Sequence, residues 1–130
     1  MEIIGRLNSQ KLAVNGIITL HAGDTFAAPI HIGTSIEPYP ESEYVLSGED
    51  KLYIGIMEPH QPFKFALIRK VISAEDIQPG EPPIFRLTSN DTEFVVPGVY
   101  YYEIKLQSVD ETGEEVISTV IPRTKMVILA

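Results

Sequence analysis

Several residue types that carry common chemistry are absent or scarce in this chain of 130 residues. It has no cysteine, which excludes disulfide frameworks, thiol nucleophiles and zinc sites built on cysteine. Tryptophan is also absent, and the three histidines are His21, His31 and His60. Because these lie on separate segments, without an HExxH motif or paired spacing, the sequence does not predict a histidine metal site.

Basic residues are outnumbered: ten Lys and Arg stand against eighteen Asp and Glu, for a net charge of −8. Such a balance disfavours binding modes in which cations neutralise phosphates, so we expect no nucleic-acid partner. No apolar run reaches the length of a membrane span or of a signal peptide. The sequence therefore predicts a soluble protein without a membrane partner.

Recognisable catalytic motifs are missing as well. No GxSxG elbow, SxxK motif, P-loop or GxGxxG fingerprint occurs. The acidic turn 110–115 lacks the alternation and terminal Glu of a calcium loop, so we interpret it as a solvated turn. We accordingly predict no enzymatic activity, no cofactor and no metal, although any two of the carboxylates could converge as a glycosidase pair.

What the sequence does contain is the pattern of an all-β protein. Hydrophobic residues make up 44% and charged residues 22%, and the length suits one domain over residues 1–130. Ten Pro and nine Gly punctuate short apolar runs along the whole chain. In the clearest run, Tyr100, Tyr102, Ile104 and Leu106 share one face. We predict an antiparallel immunoglobulin-like β-sandwich of about seven to nine strands, with at most short helical turns.

Three local signals refine this prediction. Asn15-Gly16 within KLAVNGIITLH favours a type I′ hairpin. Pro29 predicts a strand edge or a bulge, since proline cannot donate to a ladder. Asn90 and Glu93 have a cap-like spacing that predicts a single helical turn before Pro97-Gly98.

The segment that follows resembles the tyrosine corner of immunoglobulin-like sandwiches. Pro97 and Gly98 precede Tyr100 and Tyr102 at the start of the long alternating strand. In such corners a Tyr hydroxyl bonds to backbone upstream, which pins the crossover between the sheets. We predict that Tyr100 makes this bond, with Tyr102 as the alternative, and that the role of these residues is structural.

Six Tyr and five Phe raise a second function, because sandwiches can stack sugars on exposed rings. Tyr39, Tyr44 and Tyr53 are the candidates for such a platform. Aromatic residues at alternating strand positions also serve as core, so the pattern leaves both interpretations open.

The N-terminal segment 1–10 carries three apolar residues, Ile3, Ile4 and Leu7. Terminal segments often add an edge strand to their own sheet. A free arm could instead add a strand to a partner subunit. Under that second hypothesis these three residues contact the partner, and deleting the segment abolishes assembly while the fold survives.

The order of these segments resembles the N-terminal immunoglobulin-like domain of phage baseplate upper proteins and related small virion proteins, over about residues 23 to 129. The matching pieces are Gly23-Asp24-Thr25-Phe26, Gly55-Ile56-Met57-Glu58-Pro59, the Pro97-Gly98-x-Tyr100-x-Tyr102 corner and Ile121-Pro122-x-Thr124. The resemblance implies a non-enzymatic building block of a virion, made in the host bacterial cytoplasm.

Its implied partners are other virion proteins of the tail, baseplate or capsid, and further copies of itself. Baseplate upper proteins continue into receptor-proximal regions, whereas this chain stops at Ala130 after the last predicted strand. We therefore expect a tail or baseplate adaptor, or a decoration protein of the capsid surface. A carbohydrate-binding module for host-surface or mucus glycans is the alternative.

Overall fold

Nine strands make up most of the computed structural model, which describes residues 1–7, 15–34 and 42–130. The strands are β1 (Ile3–Leu7), β2 (Ile18–His21), β3 (Phe26–Thr34), β4 (Ser42–Glu43), β5 (Lys51–Met57), β6 (Ile68–Ser73), β7 (Ile84–Leu87), β8 (Gly98–Val109) and β9 (Glu115–Leu129).

The strands form two sheets, as predicted for an all-β sandwich. One sheet has the order β1-β3-β4, with β7 also paired to β3, and the other has the order β2-β9-β8-β5-β6. Most pairs are antiparallel, but β1 runs parallel to β3 and β2 runs parallel to β9. The two N-terminal strands, β1 and β2, are therefore edge strands of different sheets.

Helical structure among the described residues is confined to three short segments. Phe63–Phe65 and Ala74–Asp76 are 3-10 turns, and α1 (Ser89–Thr92) is a single α-helical turn. None of these helices is long or apolar enough to cross a membrane.

The core lies between the two sheets. The face of β8 that the sequence predicts to be buried points into it. Tyr100, Tyr102, Ile104 and Leu106 are all buried. Phe85 of β7 comes from the opposite sheet, and its ring centroid lies 6.1 Å from that of Tyr102. This interdigitation of large side chains joins the layers.

Strand β9 is continuous through Pro122. The register of β8 against β9 shifts between Tyr102 and Lys105, so the proline lies in a bulged region where its missing N–H costs no regular ladder bond. The bulge also turns two consecutive residues, Val120 and Ile121, into the core.

Pro29 lies within β3, which is an internal strand of its sheet. The Ile30 N–H donates to the Pro83 carbonyl on the β7 side at 2.8 Å. Because successive residues of a strand point their N–H groups to opposite sides, Pro29 faces the other side, where pairing with β1 begins only at Ile30. The ladder is therefore open locally at the proline, which is why an internal strand accepts it.

The free-arm hypothesis for segment 1–10 is wrong for its described part. Ile3 is fully buried, Leu7 is partly buried against the core, and the β1 backbone pairs with Ile30–Thr34. Burial of Ile3 favours this docked state because it removes a large apolar side chain from water. Only Ile4 faces outward, at 44% exposure, and residues 8–10 lie outside the described part.

The outer edge of β1 is sealed by a side chain. The Ile4 N–H donates to Asn15 Oδ1 at 2.8 Å, and Asn15 Nδ2 donates to the Ile4 carbonyl at 2.9 Å. The carboxamide thus occupies the positions that a further strand would use. The predicted type I′ turn at Asn15-Gly16 is wrong, because such a turn needs a positive φ at both residues and Gly16 does not have one. The first run of the predicted hairpin, residues 11–14, lies outside the described part.

Candidate protein-interaction surface

The crossover from β7 to β8 begins with the cap of α1. Asp91 Oδ2 accepts hydrogen bonds from the Thr88 N–H at 2.7 Å and from Thr88 Oγ1 at 3.0 Å. The predicted single turn is present, but its start is Thr88 with Asp91 and not Asn90 with Glu93. Thr88 follows β7 directly, and the short Asp91 side chain reaches back one turn.

An ion pair ties this turn to the other sheet. Lys70 Nζ of β6 lies 2.7 Å from Asp91 Oδ2. Burial by itself raises the pKa of the Asp91 carboxyl, but the Lys70 ammonium and the Thr88 donors outweigh burial and lower it. Asp91 therefore remains charged and connects the end of β7 to β6 of the other sheet.

Thr92 locks the turn to the β2–β3 connection. It is completely buried, and its Oγ1 accepts from the Gly23 N–H at 2.9 Å and donates to the Asp24 carbonyl at 3.1 Å. One hydroxyl thereby satisfies two backbone groups that are 68 and 69 residues away. The Gly23-Asp24 segment quoted in the family resemblance is thus a structural neighbour of the crossover.

The end of the crossover has the geometry predicted for a tyrosine corner. The Tyr100 hydroxyl donates to the Val96 carbonyl, and burial followed by the charge of Glu58 raises its pKa. Pro97 and Gly98 form the bend between these two residues. Tyr102 is fully buried, and its hydroxyl is directed to the Gly16 carbonyl at 3.5 Å.

Between these two anchors the chain turns apolar side chains outward. Val95 packs against the core, and its N–H donates to the Thr92 carbonyl at 3.1 Å. Its neighbours consequently point away from the core: Phe94 is 89% exposed and Val96 is 73% exposed. The bonded backbone and the inward Val95 side chain hold the Phe94 and Val96 side chains in the solvent.

Two exposed apolar residues of the five-stranded sheet lie at the same end of β8 and β9. They are Val99 and Leu129, and the register places Val99 opposite Val127 and Gly98 opposite Ile128. We call the set Phe94, Val96, Val99 and Leu129 the apolar corner. Sequence analysis identified the crossover but missed these residues, because an apolar side chain in a loop gives no sign of which way it faces.

Two of the three tyrosines considered for a sugar platform, Tyr44 and Tyr53, lie in the described part and have different surroundings. Tyr44 packs partly against the core, and its hydroxyl donates to Asp50 Oδ2 at 2.6 Å. Burial, followed by the hydrogen bond and the charge of Asp50, raises the pKa of Tyr44 to about 12. Tyr53 is half-buried on the outer face of β5, and Tyr39 lies outside the described residues.

The histidines also lie apart. His21 Nδ1 is 2.9 Å from the Ala130 carbonyl, whereas His31 Nδ1 is 2.7 Å from Glu43 Oε1 and its Nε2 is 3.7 Å from Glu2 Oε1. Across the described ranges, no group of three or more His, Asp or Glu side chains is arranged to hold a metal ion.

The acidic turn after β8 is organised by hydrogen bonds within the turn. Asp110 Oδ1 accepts from the Thr112 N–H, from Thr112 Oγ1 and from the Glu114 N–H, at 2.6 to 3.0 Å. The Thr112 hydroxyl and the backbone donors lower the pKa of the Asp110 carboxyl. Asp110 therefore closes the turn between β8 and β9.

The apolar corner combines a backbone held by hydrogen bonds with two strongly exposed apolar side chains, Phe94 and Val96. Phe65 and Leu67 are a second exposed apolar pair, at the Phe63–Phe65 turn, and they are less exposed. Comparisons of the chain with protein-family models, with curated proteins and with solved structures find no match.

Proposed function

We propose that the protein is a non-enzymatic structural protein of a bacteriophage virion, a tail or baseplate adaptor or a capsid-surface decoration protein. In this role the protein binds its partner through the apolar corner. The observation that carries it is the near-complete exposure of Phe94 and Val96 on a backbone held at both ends.

Exposed apolar side chains that cluster mark interaction sites more often than singly scattered ones do. Burying a Phe or Val side chain against a partner contributes about 1.5 to 3 kcal/mol. Since the loop is already fixed by the Thr92 and Tyr100 hydrogen bonds, binding incurs little additional ordering cost. Both points support docking of a partner surface on the corner.

The charge of the chain supports the same proposal. A net charge of −8 favours solubility at the high local concentration of a particle surface. The apolar corner is where we propose that the virion partner docks.

Sugar binding receives less support from the described part. The aromatic side chains that are strongly exposed there are Phe65 and Phe94, which lie in different connections. Tyr44 packs partly against the core, whereas Tyr53 is half-buried on the outer face of β5. A stacking platform needs exposed rings on one face.

The experiment supplies tagged protein in trans to cells that release the phage encoding this gene, and it measures the tagged chain in purified particles by mass spectrometry. We expect the wild-type chain in particles and a loss of incorporation for the double variant Phe94→Ser, Val96→Ser. Val45→Ser is the matched control, because Val45 is 76% exposed on another connection.

Folding of each variant is checked by its thermal melt, which these exposed substitutions should leave nearly unchanged. Absence of the wild-type chain from purified particles contradicts the virion role. Full incorporation of the double variant contradicts the role of the apolar corner, and binding of the wild-type chain to host-wall glycans would favour the carbohydrate alternative.

A further inference from the structure

Strand β6 is the last strand of the five-stranded sheet, and within the described part of the chain its outward backbone is unpaired. The Ala74 N–H donates to the Asp50 carbonyl at 3.0 Å, which fixes the parity: the even residues of β6 bond to β5. Arg69 and Val71 therefore direct their N–H and C=O groups away from the sheet. Neither pair of groups has a backbone or side-chain partner among the described residues.

This edge differs from that of β1. There the Asn15 carboxamide occupies both backbone groups of Ile4. Among residues 1–7, 15–34 and 42–130, no equivalent side chain bonds to the backbone of Val71, whose own side chain is exposed on the outer face. An open edge of this kind is a template for a further strand.

We infer that β6 pairs antiparallel with β6 of a second copy of this chain, about a two-fold axis at Val71. In this register Val71 faces Val71 of the second copy and exchanges two backbone hydrogen bonds with it. Arg69 faces Ser73 of the second copy. The two five-stranded sheets then become one continuous sheet of ten strands.

The charges at the edge select this occupant and this register. Arg69 is exposed and forms no ion pair with any described residue. The two-fold brings its guanidinium beside the 3-10 turn of the second copy, which carries the exposed carboxylates of Glu75 and Asp76. The neighbouring register, centred on Lys70, would place Arg69 opposite Val71 of the second copy, two residues farther from these carboxylates.

This inference is independent of the proposed function, because it involves a different surface from the apolar corner. The test is sedimentation velocity of the full chain over a series of concentrations. We expect wild-type protein to form a reversible dimer and Val71→Pro to remain monomeric. Proline at this position removes only the outward N–H, so the ladder to β5 and the thermal melt should survive.

Val71→Thr is the matched control, because it keeps the N–H and should keep the dimer. Arg69→Glu should weaken dimerisation about 10-fold or more, and the double variant Arg69→Glu, Glu75→Arg should restore it. A wild-type chain that stays monomeric at every concentration would overturn the inference. So would a Val71→Pro variant that dimerises like the wild type, or a dimer lost only in the Phe94→Ser, Val96→Ser variant.

Discussion

The Tyr100 hydroxyl is a single group that stabilises the crossover to β8, through the hydrogen bond that it donates to the Val96 carbonyl. Tyr100→Phe keeps the buried ring but leaves that carbonyl without its partner. We expect a loss of about 1 to 3 kcal/mol in the free energy of unfolding, measured by chemical denaturation.

Tyr101→Phe serves as the control, since the Tyr101 side chain lies on the outer face and its hydroxyl bonds to no described residue. Equal denaturation midpoints for Tyr100→Phe and the wild type would show that the corner bond contributes nothing.

Gly5 fixes how closely β1 approaches β9. A Cβ at this position would lie 2.9 Å from the Val120 carbonyl oxygen and 3.1 Å from Ile121 Cγ1. Because a backbone oxygen of a buried residue cannot move aside as the end of a flexible side chain can, Gly5→Ala should destabilise the fold by about 1 to 3 kcal/mol. Gly16→Ala is the control, as a Cβ there meets nothing within 4 Å. Equal thermal melts for the two variants would contradict this account.

At the scale of elements, the α1 turn should make stability depend on pH. The pKa of Asp91 is lowered in the folded state, so its contribution is present above the ordinary value of 3.8 and is lost as the pH falls through the lowered value. Asp91→Asn should therefore be less stable than wild type near neutral pH, by ~1 kcal/mol, and should converge with it in acid.

Glu111→Gln is the comparison, because Glu111 is exposed and its side chain bonds to no described residue. Denaturation curves at neutral and acidic pH give the difference directly. A gap between Asp91→Asn and wild type that stays constant in acid would show that the charge of Asp91 is not its cause.

Strand β1 offers a second comparison between adjacent residues. Ile3 is fully buried whereas Ile4 is 44% exposed on the same strand. Ile3→Ala should cost about 2 to 5 kcal/mol and Ile4→Ala less than about 1 kcal/mol, measured by denaturation. Equal small losses would mean that β1 detaches readily, as the arm hypothesis required.

These elements also show what the sequence could predict. The alternation from Tyr100 to Leu106 is a local pattern, and both the strand and its buried face follow from it. The docking of β1 depends on Ile30–Thr34, which are distant in the chain, and on the small volume of Gly5. No local pattern reports such a pairing, so the sequence left edge strand and free arm as alternatives.

For the whole molecule, we expect stability to be independent of metal ions. No described cluster of three or more His, Asp or Glu side chains could hold a cation, and Asp110 is occupied by donors of its own turn. The melting temperature should be the same with and without EDTA. A lower value with EDTA, restored by added calcium, would contradict this prediction.

The candidate surface was predictable only in part. The Pro-Gly and Tyr spacing predicts the corner bond, because that bond is made within a few residues of the chain. The exposure of Phe94 and Val96 is set by Thr92, whose partners Gly23 and Asp24 come from a distant turn. The open edge of β6 is likewise a property of strand order, which emerges only when the sheet is assembled.

Asn15 is a site where slow deamidation would change the edge of β1. Asn-Gly sequences are prone to deamidation, because the glycine that follows leaves the backbone nitrogen accessible to the carboxamide. A carboxylate at Asn15 could still accept from the Ile4 N–H, but it could not donate to the Ile4 carbonyl, so one position of the β1 edge would open. Deamidation of Asn15 would therefore free the Ile4 carbonyl at the edge of the four-stranded sheet, where a strand of another chain could donate to it.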